Sequence, residues 1–498
     1  MKAPVKDLLN SHKYLLLILI FSVCLLTIYI DKPFYGHHDY NGAVYSNIAR
    51  NFNRYGILNT KFGQVNNPDK VSRAGFSYMT HHPPILTILL SFSFKIFGES
   101  ERAARLVPII FSLLTLVLLY AITLKYFDKK TAVLAAAFAS LTPMFIYFGK
   151  LPVQEVLGLP LVLLSIYLYF RFLKLPDKNS FLLLIGSMVI GNFTSWPVYY
   201  VGAIFALHYL FFGKPQHKLL IVVSFPLVCL ATFITYIFDL YIVTGNTFGG
   251  GLSGAFFQRL NAGQLGDPAG LKDLLILQIR WLNAFYGKIL IGLAAITSLY
   301  LVFKVKRFYK EEKYQILAML LYVGVAHLVV FRGVAQYHDY FLIYLLPFIV
   351  ISAAVGTQYC FKLFKLKRGM QTVTAILLLV LVLATTFQFT KALINSNEFK
   401  EAVDVGKYIN SHTKSGDAVL ILSPEFKKYF EGFPEYYSGR RLDYQAFSQK
   451  QLEPLIASKK YKLILAMPKR DTNPEIMRFL NGKLNKSGQQ YQITVYHE

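Results

Sequence analysis

The sequence predicts an α-helical polytopic membrane protein with about eleven transmembrane helices, interfacial helices besides, and a small C-terminal α/β extracytoplasmic domain. Three observations predict it. Hydrophobic residues fill 54% of the 498 positions, and the mean hydropathy is +0.42. Charged residues are only 16% of the chain, where a soluble chain carries about a quarter. The net charge of +25 is spread in short basic runs between apolar segments. Such runs orient a protein in a membrane and do not build a nucleic-acid surface, so no nucleic-acid partner is expected.

The predicted spans start near Tyr14, Leu106, Thr131, Val156, Phe181, Pro197, Leu219, Ile289, Tyr314, Tyr340 and Gln371. No cleavage site follows the first, so residues 14–30 read as a retained anchor. Residues 82–97 are also apolar, but they open with two prolines, are short, and contain Lys95. Charge decides their place. With a cytoplasmic N-terminus and no crossing there, Lys2, Lys6 and Lys13 share the cytoplasmic side with Lys125, Lys129 and Lys130. Arg171, Lys174 and Lys178 join them, as do Lys214, Lys218, Lys304, Lys306, Arg307, Lys362 and Arg368. A crossing would invert this pattern against the positive-inside tendency, so 82–97 reads as an interfacial or re-entrant segment.

The expected boundaries are a membrane catalytic domain, 1–394, and an extracytoplasmic domain, 395–498. The first has two larger outer loops, 31–105 and 243–288, the second of them carrying the glycine-rich stretch 249–254. The tail alternates a helix-like run at 398–410 with β-rich runs at 418–422, 462–466 and 492–496. Cys24, Cys229 and Cys360 lie in or beside apolar stretches without metal-ligand spacing, which argues against a disulfide framework. The expected location is the plasma membrane, multi-pass, with the tail outside.

Carboxylates are sparse before Thr390. Asp7, Asp128, Asp177, Glu311 and Glu312 sit among cytoplasmic bases and read as solvated. The outer or membrane set is Asp31, Asp39, Asp69, Glu99, Glu101, Glu155, Asp239, Asp267, Asp273 and Asp339. Acids at membrane depth are expensive and often functional. Asp39 precedes a stripe of Tyr40, Val44, Ile48, Phe52 and Tyr55 at helical spacing. It is either the cap of that helix or a base, and the two roles are compatible. Glu155 stands in a short outer loop before a span; a first-turn glutamate suits the helix dipole, but one held between long spans needs a partner.

His37-His38 and His81-His82 invite a metal reading, yet neighbouring histidines on an extended chain point apart, and no His-x₃-His spacing helps. His82 before Pro83-Pro84 is held extended, placing a polar ring at membrane-surface depth. Arg332, His338, Asp339 and Tyr340 cluster before a span, a set that suits a lipid phosphate or an ordinary aromatic belt.

Together these residues resemble the GT-C superfamily of membrane glycosyltransferases. The likeness is to glycosyltransferase family 39, akin to protein O-mannosyltransferases and the lipid A aminoarabinose transferase. Its carriers are His38-Asp39-Tyr40, the loop His81-His82-Pro83-Pro84-Ile85-Leu86, the run from Glu101 to Pro108, and the stretch from Ser140 to Phe148. Glu155 and His338-Asp339-Tyr340-Phe341 complete them. The resemblance implies transfer of a hexosyl or pentosyl unit from a polyprenyl-phosphate donor to a hydroxyl of a lipid, glycan or protein acceptor, in work on the cell envelope. By position it makes Asp39 the general base and Glu155 an acid that orients the acceptor or assists. A divalent metal ion, if one is used, falls to the same two acids. His82 takes the place of a phosphate-contacting lysine, with His81 beside it as a further substrate-binding candidate, and Gly42 stands where the aminoarabinose enzyme has an arginine nearby. Arg280 and Arg332 are the outer-loop cations available to the departing phosphate, without motif support.

Two other classes compete. A transporter or flippase of lipid-linked sugars would show midplane acids and helix breaks in paired halves. Asp239 is the sole deep acid, and no internal repeat is visible. A polyprenyl-diphosphate oligosaccharide ligase or polymerase is the alternative nearest in chemistry.

Overall fold

A computed structural model describes residues 3–214, 218–246, 251–260, 270–303, 310–445, 447–467, 472–490 and 493–497. Asp267, Gly249, Gly250, Lys304, Lys306 and Arg307 lie outside them, as do parts of the 243–288 loop. The chain divides into two compact units. One comprises residues 1–30, 80–86 and 105–394, and the other 31–79, 87–104 and 395–498. Of the first outer loop, residues 31–79 and 87–104 group with the tail, and residues 80–86 with the first unit.

The first unit is a set of long apolar helices. Each of the eleven predicted segments is helical, and seven helices among the described residues are long and apolar enough to cross a membrane. These are Glu101–Tyr126, Gln154–Lys174, Lys218–Thr244, Lys272–Phe303, Glu312–Val330, Asp339–Leu363 and Arg368–Ile394. The remaining predicted segments form shorter helices, including His12–Leu26, Lys129–Leu141, Lys178–Asn192 and Trp196–Phe212. Ile85–Phe97 has 13 residues, about 20 Å of helix against a hydrocarbon layer of about 30 Å.

Large apolar side chains stand exposed along the outermost helices, Leu219 at 75% and Leu220 at 71% among them. In water each would forgo about 25 cal/mol per Å² of burial; lipid supplies that burial. Helix starts on the basic side are capped: Asp128 and Asp177 accept the backbone N–H groups of Thr131 and Ser180, each at 2.9 Å. These acids were expected to be merely solvated. Instead each offsets an unpaired helix-terminal donor. Glu311 and Glu312 pair with Lys313 and Lys174 at 2.6 and 2.8 Å.

At the ends near the predicted site residues, the α-helix gives way to other turns. Met144–Phe148 is a π-helical turn, and Trp196–Val198 and Asp339–Leu345 are 3₁₀ turns. Leu271–Phe303 breaks at Gly287, whose φ of 75° favours glycine and where an added Cβ would lie 2.9 Å from Thr386 Cγ2.

The second unit is built differently. Helix Tyr40–Tyr55 buries Gly42 through Phe52 apart from the half-buried Arg50, so burial extends beyond the predicted stripe, of which Val44, Ile48 and Phe52 are buried and Tyr40 is exposed. Asn47 and Asn51 donate to backbone carbonyls at Asn66, Val65 and Asn67, anchoring a two-stranded ribbon, β1 (Gln64–Val65) against β2 (Tyr78–Met79). The tail adds β3 (Ala418–Leu422), β4 (Arg441–Tyr444), β5 (Leu463–Ala466), β6 (Asn485–Gln490) and β7 (Ile493–His497) in the order β4-β3-β5-β7-β6. β3 runs parallel to β4 and β5, which requires the helical crossovers that follow it, whereas β7 is antiparallel to β5 and β6. Leu420, Leu422, Leu452, Ile464, Leu480 and Tyr496 form its core.

Candidate functional site

Three carboxylates are buried among the described residues: Asp39, Glu155 and Asp339, at 4%, 5% and 5% exposure. The other outer acids that sequence singled out have visible structural work or are open to solvent. Asp31 pairs with Arg102 at 2.7 Å, Glu99 with Arg50 at 2.6 Å, and Glu101 accepts the Tyr437 hydroxyl at 2.7 Å. Asp273 is exposed, and Asp69 and Asp239 are partly so.

Asp39 belongs to the second unit and occupies the N-cap position of Tyr40–Tyr55. Its side chain makes no capping bond to that helix. Instead Oδ2 accepts the N–H of Gly36 at 2.7 Å, closing the turn that precedes it. Capping therefore does not account for this acid. The turn is tight because His38 adopts φ 57°, a left-handed conformation that costs a non-glycine residue about 1–2 kcal/mol. It also corrects the expectation for the histidine pair. The chain is not extended there, and the His37 and His38 rings lie 4.2 Å apart, centroid to centroid, instead of pointing apart. Gly42, one turn into the helix, lies under the Phe34 ring; an added Cβ would sit 2.4 Å from Phe34 Cδ1. A larger residue, such as the arginine of the aminoarabinose enzyme's vicinity, has no room at this position.

The chain around Asp39 is held by the tail. The carbonyl of Tyr35 accepts the Phe399 N–H at 3.0 Å, and the His37 N–H donates to Ser396 Oγ at 2.9 Å. His37 Nδ1 faces Glu398 at 3.2 Å, and the Phe34 N–H donates to the Tyr437 hydroxyl at 2.7 Å. Beyond Asp39, Tyr40 packs on Phe433 and on Gly432. Burial, then the charges of Glu431 and Glu435, push the Tyr40 hydroxyl up to about 12. Burial likewise raises Glu435 to about 7, against the opposing hydrogen bond from Tyr444.

The other predicted residues lie in the first unit. Glu155 is in the first turn of Gln154–Lys174, where the helix dipole favours an anion. One turn on, Gly158 lets Tyr344 and Ser195 approach; an added Cβ would be 2.4 Å from the Tyr344 hydroxyl and 2.6 Å from Ser195 Cβ. Those two hydroxyls are 3.1 Å apart, and Tyr344 lies within the electrostatic reach of Glu155.

His81 and His82 are half-buried, and their backbone is clamped. Trp196 Nε1 donates to the His81 carbonyl at 3.0 Å, while the Tyr236 hydroxyl bonds the carbonyls of Thr80 and His82 at 2.8 and 2.9 Å. Nothing in the sequence singled out Trp196 or Tyr236; the one available signal was that Trp196 is one of only 2 tryptophans. Asp339 and Tyr340 are buried in the 3₁₀ turn, with the His338 ring 5.0 Å from Tyr340 and 5.3 Å from Phe341. Arg280 and Arg332 are exposed. Among the described residues, the buried cations of this unit are Arg105 and Lys150, which donate to the carbonyls of Ile30 and Ile28. Beside Trp196 opens an apolar cavity of about 590 Å³, lined by Tyr199, Tyr200, Phe233, Phe256 and Phe331 among others.

Residues 81–241 match the family model described as dolichyl-phosphate-mannose-protein mannosyltransferase. No curated protein sequence matches the chain. Among solved structures, the chain is similar to ArnT from Cupriavidus metallidurans bound to undecaprenyl phosphate, at 12% identity and a TM-score of 0.63 over 98% of both chains. It is also similar to the archaeal oligosaccharyltransferase AglB from Archaeoglobus fulgidus, in complex with an inhibitory peptide and a dolichol-phosphate. That match has 13% identity and a TM-score of 0.58, over 91% of this chain and 69% of the other. The Archaeoglobus fulgidus oligosaccharyltransferase in complex with zinc and sulfate matches at 15% identity and a TM-score of 0.57, over 91% and 67%. The chain thus has the fold of these ArnT and oligosaccharyltransferase structures.

Proposed function

We propose that this GT-C chain is a glycosyltransferase that moves a sugar from a polyprenyl-phosphate donor to an acceptor hydroxyl, with Asp39 as general base. The observation that carries the reading is that Asp39 is buried and not spent on capping its helix. The acceptor O–H gives its proton to the Asp39 carboxylate as its oxygen attacks the anomeric carbon. The bond from that carbon to the phosphate oxygen breaks, and the lipid phosphate leaves with the electron pair. Phosphate needs no general acid, so one positioned base suffices, worth about 10²–10⁴ in rate. Glu155 is the second acid and orients the acceptor. If a divalent metal ion takes part, these two carboxylates are the oxygen ligands such an ion prefers.

The polyprenyl tail occupies the aromatic cavity beside Trp196, whose indole also fixes the histidine loop. With the basic loops cytoplasmic, the reaction takes place on the opposite face of the membrane. The transporter alternative is not favoured by the structural likenesses.

The test is transfer of radiolabelled sugar from polyprenyl-phosphate donors by the purified chain. Asp39→Asn is expected to lose about 10²–10⁴ in kcat with an unchanged melting temperature. Equal activity in the two proteins would remove Asp39 as base. Chelation with EDTA in the same assay decides whether a metal participates.

A further inference from the structure

The tail grips the chain on both sides of Asp39. Before it, Ser396, Glu398, Phe399 and Tyr437 hold Phe34, Tyr35 and His37 through contacts of 2.7–3.2 Å. After it, Gly432, at φ 96°, backs Tyr40 closely enough that a Cβ there would fall 2.9 Å from the tyrosine ring. Phe433 stacks on Phe399 at 4.5 Å and meets Tyr40 at 5.9 Å, joining the two grips. The turn between them contains His38 in a left-handed conformation, which persists only where its surroundings over-determine it. Within the turn, the Asp39 N–H donates to the Gly36 carbonyl at 3.1 Å, the Gly36 N–H to the Asp39 carboxylate at 2.7 Å, and Asn41 to the His38 carbonyl at 3.2 Å. The backbone that carries this turn is held in addition by residues some 360 positions later, Ser396 lying 359 residues beyond His37.

We infer that the C-terminal segment is a built-in part of the catalytic apparatus, with Ser396 and Tyr437 as positioning residues for the base. Acceptor selection is not needed to explain its presence. Tyr437 is the keystone: its hydroxyl accepts from the Phe34 backbone and donates to Glu101, so the ring alone cannot replace it. A base displaced by about 1 Å can lose on the order of a hundredfold in rate.

This rests on Asp39 being the base, and the experiment separates the two claims. Full-length Ser396→Ala, Tyr437→Phe and Asp39→Asn chains are compared with the parent for kcat, KM for the donor, and amide hydrogen exchange across residues 35–41. Ser396→Ala and Tyr437→Phe are expected to lower kcat about 10- to 100-fold, leave KM within about twofold, and speed exchange in the turn at least about tenfold. In the Asp39→Asn background, the further loss from Tyr437→Phe is expected to vanish, because both act through one carboxylate. Unchanged exchange, or faster exchange with parental kcat, overturns the positioning role while Asp39→Asn still reports on the base. If Asp39→Asn alone keeps full activity, the base assignment fails, and with it the positioning of a base.

Discussion

The two units satisfy their polar groups in opposite ways. In the membrane unit, hydroxyls mostly bond back to their own helix. Ser22, Thr115, Thr123, Thr357 and Thr386 each donate to the carbonyl four residues earlier. In the second unit, side chains reach distant backbone. Arg50 bonds the Tyr436 carbonyl, Asn51 the Val65 carbonyl, and Arg440 the Thr413 carbonyl. Water can stand in for a missing partner in the second case and not in hydrocarbon, so membrane helices close their own accounts. The exceptions are then informative. Thr297 reaches the Ser352 carbonyl of another helix. Trp196 to His81, Tyr236 to Thr80 and His82, Tyr286 to Leu342, and Gln278 to Ala335 instead end on backbone outside regular α-helix, in stretches that include the histidine loop and the segment around the Asp339 turn.

The sharpest way to break this contrast is to overfill the helix junction at Gly158. Gly158→Val is expected to cost about 1–3 kcal/mol or more, because the new side chain meets Tyr344 and Ser195. Thermal unfolding in detergent should fall by several degrees, and transfer activity by more than tenfold. Parental values for both would mean that the junction adapts and that Glu155 does not depend on it.

A smaller effect is expected from Tyr236→Phe, which removes one hydroxyl shared by two carbonyls of the histidine loop. Leaving them short of a donor costs about 1–3 kcal/mol. The loss should appear as a higher KM for the lipid donor with kcat little changed. A kcat effect alone would move the histidine loop from donor binding to chemistry.

The smallest effect lies in the second unit and depends on pH. Burial holds the Glu435 carboxyl at about 7, above its ordinary value of 4.5. The folded chain then keeps a proton that the unfolded chain has released. The contribution is fully present below about pH 4.5 and is lost as pH rises through about 7. Glu435→Gln mimics the protonated acid, accepting from Gly432 and donating to the Tyr444 oxygen. It should raise the melting temperature at pH 7.5 by a few degrees and flatten its decline with pH. A lower melting temperature at every pH would show that the carboxylate's two hydrogen bonds outweigh its burial.

Much of this protein is local and was therefore legible in the residues. Apolar runs define the helical segments, charge between them argues for orientation, and the period of Tyr40, Val44, Ile48 and Phe52 places a helix directly after Asp39. Asp39 and Glu155 stood out because acids are rare in such a chain. Which partner an acid takes was not local. Glu101 looks as promising as Asp39 in the sequence, yet it serves Tyr437, 336 residues away. The left-handed turn at His38 defeated the assumption of an extended histidine pair, since a histidine carries no glycine-like signal for positive φ.

What the sequence by itself determined is thus the helical membrane class, the short list of carboxylates and the likeness to a glycosyltransferase superfamily. Those follow from composition, periodicity and short motifs, all properties of neighbours along the chain. What only the tertiary structure decided is which acids are buried, which cations are exposed, and that residues 31–79 and 87–104 group with the tail in one unit. Those depend on contacts across more than a hundred residues, such as Trp196 with His81 and Ser396 with His37. Such pairings leave no periodic trace, because each is set by the folded backbone that brings one donor to one acceptor.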